Sequence, residues 1–71
     1  AEKYYETALE LDPENKAALE YQGELYVATN RPQLANDNLI KLESLCPNSC
    51  DELEKLQDFI SSKTEKEKVN I

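Results

Sequence analysis

The sequence predicts an all-α fold assembled from short antiparallel helix hairpins, and three observations carry that expectation. Apolar residues recur three and four positions apart through most of the chain, which is the spacing of one helix face. The three prolines, Pro13, Pro32 and Pro47, stand at the boundaries of these periodic stretches. The third observation is internal repetition. A shift of 34 residues lays Ala1 on Ala35, Leu11 on Leu45, Pro13 on Pro47, Leu19 on Leu53, Glu20 on Glu54, Glu24 on Asp58, Leu25 on Phe59 and Tyr26 on Ile60. A period of that size marks stacked helical units.

The first helix is expected over 1–11, with Tyr4, Tyr5, Ala8, Leu9 and Leu11 on its apolar surface. Asp12-Pro13 ends it, because the residue before proline disfavours helical angles. Asn15 is placed to cap a second helix over 16–28 by accepting a hydrogen bond from a free backbone N–H. On that helix Leu19, Gly23 and Tyr26 face one neighbour, while Ala18, Gln22 and Leu25 form an adjoining face. Two apolar faces imply a helix held between others. Gly23 lies inside it at a cost of about 1 kcal/mol relative to alanine, so a close helix contact is expected there, with Ala35 as the facing residue.

Asn30 tolerates the left-handed backbone that ends helices, and Pro32 suits the first turn of a third helix over 32–45. Ala35, Leu39, Leu42 and Leu45 make its inward stripe. Ser49 and Glu52 fit a capping box for a fourth helix over about 50–62. Leu53, Leu56, Phe59 and Ile60 give that helix its apolar face, and Gln57 stands where the previous unit has Gly23. It is expected to cover the end of the stack. Residues 61–71, SSKTEKEKVNI, have little to bury. They are expected to extend the fourth helix through exposed charge pairs and then fray, with no binding role.

The unit Lys16–Ser49 resembles a tetratricopeptide repeat, on Leu19, Gly23, Tyr26, Ala35, Leu39 and Pro47 and on the junction LDPEN at Leu11–Asn15. The resemblance covers residues 1 to about 60. It departs from the family pattern at Leu19, which replaces the usual tryptophan, at Gln22, which replaces a usual leucine, and at Leu42, where alanine is preferred and Ala8 keeps it in the preceding unit. These departures bear on local packing more than on the fold. The resemblance implies a short right-handed α-solenoid: the second helix of a partial repeat over 1–15, a complete repeat over 16–49, and the first helix of a third from 50. It also implies a piece of a larger scaffold whose role is to bind proteins or peptides. The CPNSCDELEKL stretch resembles a C-terminal feature of bacterial proteins of this class, some of them exported.

Composition narrows the function classes. Fifteen acidic against eight basic residues give a net charge of −7, with the bases scattered. Nucleic acid is therefore not an expected partner, since phosphate binding needs a basic stripe. No run of about 18 apolar residues marks a membrane span. There is no histidine and no glycine-rich phosphate loop, so catalysis, a metal and a cofactor are not expected. Glu6, Glu10, Glu20, Glu24, Glu43 and Glu54 read as solvated helix faces.

The first helix of each repeat lines a concave groove in the family, which implies a binding face of Ala17, Glu20, Tyr21, Glu24, Val27 and Ala28. Its period-34 extension holds Asp51, Glu54, Lys55 and Asp58. Such a face suits a basic or mixed peptide, and a plain solvated surface is the alternative. Tyr4 and Tyr5 form a second exposed surface, through which the first helix could self-associate. Cys46 and Cys50, the two cysteines, are either a disulfide across the last turn or two ordinary thiols. The compartment is correspondingly open: cytoplasmic, or exported or periplasmic with the disulfide.

Overall fold

The computed structural model describes residues 2–69, with side-chain surroundings described for 2–63. Four helices follow one another: α1 (Glu2–Leu11), α2 (Lys16–Ala28), α3 (Pro32–Leu45) and α4 (Asp51–Val69). The fold is all-α, and no strand is present among the described residues. Ala1, Asn70 and Ile71 lie outside them, as do the side chains expected to form charge pairs over 64–71. The helix itself runs past 62, to Val69.

α2 is the central element and packs against α1, α3 and α4, while α3 also meets α4. Short links make these neighbours. Asn15 caps α2 as expected, its side chain accepting from the Ala18 N–H at 3.1 Å. At the other end of α2, the Arg31 N–H donates to the Tyr26 carbonyl at 2.7 Å and the Asn30 N–H to the Val27 carbonyl at 3.1 Å. With Asn30 left-handed at φ 62°, this is a Schellman ending, which satisfies carbonyls that a helix end leaves unpaired. Pro32 then opens α3.

The core lies where α2, α3 and α4 meet. Leu19, Leu42, Cys46, Leu53 and Leu56 form it, and Leu9, Leu39, Leu45, Cys50 and Ile60 pack around it. Ala35 is fully buried, and the atoms nearest to the side chain that Gly23 lacks belong to Leu56. A Cβ built on Gly23 would lie 2.7 Å from Leu56 Cδ2. The glycine therefore admits the tip of an α4 leucine.

Three further expectations change on folding. Ser49 does not cap α4: the Cys50 carbonyl accepts the first helical hydrogen bond, from the Glu54 N–H at 3.0 Å. Ser49 stands one residue earlier at φ 75°, and its hydroxyl donates to Glu54 Oε2 at 3.1 Å. A tight turn from Cys46 ends there, closed by the Ser49 N–H donating to the Cys46 carbonyl. Leu11, assigned to the apolar surface of α1, is 84% exposed, because α1 ends there before any helix can cover it. Finally, Glu20 is buried, as described below.

Candidate functional site

The residues assigned to the binding face do not share one environment. Ala17, Tyr21 and Ala28 on α2 are exposed, and Glu24 and Val27 are half-buried. On α4, Asp51, Glu54, Lys55 and Asp58 are exposed. Glu20 does not belong with them. Only 3% of its surface reaches solvent, which corrects its assignment to both a groove and a solvated face. Glu6, Glu10, Glu43 and Glu54 are exposed.

The reason Glu20 is buried lies in the crowding of α2. Ala18, Leu19, Glu20, Gln22 and Gly23 are all buried, which is more of the helix circumference than one apolar stripe can cover. Burial in a low-dielectric seam opposes ionisation. It raises the Glu20 carboxyl to about 7, with a hydrogen bond to Glu24, the Glu24 charge and Glu52 adding to the effect and Lys55 opposing it.

Ala17 and Tyr21 do come together with residues of α1. They line a cleft of about 130 Å³ with Tyr4, Tyr5, Ala8, Asn15 and Ala18. That is room for about four waters, or one long side chain. The three tyrosines form a continuous aromatic wall. Tyr4 and Tyr5 meet edge to face with ring centres 5.5 Å apart, and Tyr5 leans on Tyr21 at 6.1 Å. Tyr4 is 72% exposed and Tyr21 48%, so the wall faces solvent. Asn15 closes the cleft where α1 and α2 join, and Glu24 lies one helical turn beyond Tyr21 on the same face.

The sequence pointed to this cleft only in halves. Tyr4 and Tyr5 were assigned to one surface and Ala17 and Tyr21 to another; the α1–α2 link makes them one. A larger hollow of about 300 Å³ sits on the α2–α3 turn, lined by Asn30, Arg31, Pro32, Gln33 and Leu34. It is made by five consecutive residues and brings no two helices' side chains to a common point.

Arg31 illustrates how this chain holds a cation. Its guanidinium sits 4.9 Å above the Tyr26 ring and donates to both carboxylate oxygens of Glu2, at 2.7 and 3.1 Å. The Arg31 hydrogen bond lowers the Glu2 carboxyl below its ordinary range. This clamp ties the start of α1 to the α2–α3 turn, and the resemblance gave no sign of it.

Cys46 and Cys50 are joined as a disulfide with Cα atoms 5.8 Å apart. It bridges the end of α3 and the start of α4. Among the described residues no three of His, Cys, Asp and Glu cluster as metal ligands. No helix among them is long and apolar enough to cross a membrane. No known family model, curated protein or solved structure matches this chain.

Proposed function

We propose that the chain is a non-catalytic protein- or peptide-binding module of the tetratricopeptide kind, a short right-handed solenoid within a larger scaffold. The observation that carries this reading is the tyrosine-walled cleft between α1 and α2, whose exposed aromatic surface ends one helical turn from the half-buried Glu24. Tyrosines supply contact area at low entropic cost, and a negative surface steers a basic partner to them. The partner is a basic or mixed peptide segment; neither nucleic acid nor a membrane is part of the proposal, and no cofactor is called for.

The test is fluorescence anisotropy with labelled basic, neutral and acidic peptide pools, using wild type, Tyr21→Ala and Glu24→Lys proteins matched for helicity by circular dichroism. Binding of the basic pool to wild type and its loss from both folded variants supports the reading. Binding of no pool, or binding unchanged by either variant, rejects it.

A second reading is self-association through α1. No residue of α1 is fully buried, and Tyr4 and Leu11 leave a large apolar area open. Light scattering over a concentration series distinguishes the two, since a monomer at high concentration removes the self-association reading.

A further inference from the structure

Cys46 and Cys50 share a bond but not an environment. Cys46 is 6% exposed and belongs to the core with Leu19, Leu42, Leu53 and Leu56. Its backbone is held as well, the N–H donating to the Leu42 carbonyl at 2.8 Å and the carbonyl accepting from the Ser49 N–H at 2.9 Å. Cys50 packs against the same core but is only half-buried, and its chain neighbours Ser49 and Asp51 are exposed. A disulfide is opened by a thiolate that attacks one sulfur while the other leaves. To reach Cys46, that thiolate would have to enter among the four core leucines, where an anion is costly. The approach to Cys50 runs along the exposed turn. Charge acts on the same approach. Asp51, Glu52 and Glu54 fall in the first turn of α4, with Lys55 the one base among residues 51–55. Their carboxylates exceed the roughly half a positive charge that a helix start presents, so an anionic thiol is repelled there.

We propose that Cys50 is a thiol-exchange site, attacked in the folded chain in preference to Cys46 and selective for neutral or cationic small thiols over anionic ones. The thiolate bonds to the Cys50 Sγ and the Sγ–Sγ bond breaks. The Cys46 sulfur leaves with the electron pair and takes a proton from water. A second thiol then displaces the first from Cys50, so two thiols supply the two electrons and depart as their own disulfide. Leaving-group chemistry alone favours attack in the opposite direction, because a thiolate leaves poorly into apolar surroundings. Access decides against that direction, and the poor leaving group makes the exchange slow and readily reversed. None of this depends on the peptide-binding reading.

Tandem mass spectrometry of the intact, oxidised chain tests the proposal. The chain is treated with excess cysteamine or glutathione and quenched in acid during the initial phase, in buffer and in concentrated urea, and each mixed disulfide is assigned to Cys46 or Cys50. In buffer the Cys50 adduct exceeds the Cys46 adduct by roughly tenfold or more, and in urea the two approach parity. Corrected for thiolate concentration and for the same comparison in urea, cysteamine reacts roughly threefold or more faster than glutathione, and high salt narrows the gap. A ratio of adducts that is the same in buffer and in urea overturns the site, since exchange would then pass only through the unfolded chain. So does a majority of adduct on Cys46, or an absence of adduct in buffer where urea gives one. Equal corrected rates for the two thiols, or a gap that salt does not change, overturn the selection by charge.

Discussion

Gly23 of α2 and Leu56 of α4 fit so closely that a single added carbon on the glycine would lie 2.7 Å from Leu56 Cδ2 and 2.9 Å from Cδ1. Leu56 is fully buried, so its tip has little room to turn away. Two effects oppose each other when Gly23 becomes alanine. Helix propensity favours alanine by about 1 kcal/mol, and overpacking costs about 1–3 kcal/mol.

We expect the clash to win. Gly23→Ala lowers stability by about 1 kcal/mol in urea unfolding, and Gly23→Val lowers it further. Shortening the partner relieves the contact, so Leu56→Ala costs less in the Gly23→Ala background than alone. Additive effects across this double-mutant cycle would show that the two side chains do not meet.

Reduction of the Cys46–Cys50 disulfide weakens the fold by about 2 kcal/mol, the chain-entropy value for so short a loop. The same loss is expected from Cys46→Ser with Cys50→Ser, measured without reductant. Urea midpoints of wild type with and without dithiothreitol check it. An unchanged midpoint would mean that the turn is fully formed without the bond.

The pH dependence of stability follows from Glu20. Its folded-state value of about 7 lies above the ordinary 4.5. The stabilisation therefore belongs to the protonated form: it is complete below about pH 4.5 and is lost as pH rises through 7. The full loss is on the order of 3 kcal/mol. Glu20→Gln consequently melts higher than wild type at pH 8, and the gap closes toward pH 4.5. A constant gap across that range would assign the wild-type pH dependence to the other carboxylates.

Asn38 tests a buried polar pair. Its side-chain amide donates to Gln22 Oε1 at 2.8 Å and to the Leu19 carbonyl at 3.2 Å, and Asn38 and Gln22 are 4% and 6% exposed. Asn38→Ala leaves those acceptors without their donor and costs about 2 kcal/mol. Changing both Asn38 and Gln22 to leucine removes the polar requirement, and this pair is expected to lie within about 1 kcal/mol of wild type. Thermal melts of the single and double variants decide it.

Much of this architecture was readable in the residues because helix boundaries are local events. Asn15, Asn30 and Pro32 act within one turn of chain, and each does what its chemistry implies. The inward leucines Leu42, Leu53 and Leu56 follow directly from spacing. What escaped was decided by neighbours distant in sequence. Gly23 receives Leu56 of α4, Glu20 is buried by helix crowding, and Gln22 finds Asn38 on the next helix. Ser49 misled for the opposite reason: its capping signature was local, and the tight turn overrode it. The candidate site was half legible, since the composition of each helix face could be read but the joining of Tyr4 and Tyr5 to Tyr21 could not.

The disulfide also gives the molecule a mechanical polarity. A pulling force that enters at α4 passes from Cys50 to Cys46 through the sulfur bridge, leaving the three residues between them slack and unloaded. Force entering at α1 meets no covalent shortcut and no fully buried anchor, and is resisted by the Glu2–Arg31 clamp, the tyrosine contacts and the half-buried Leu9. Under tension the helices can be drawn apart one by one, while the α3–α4 corner stays joined as a welded point.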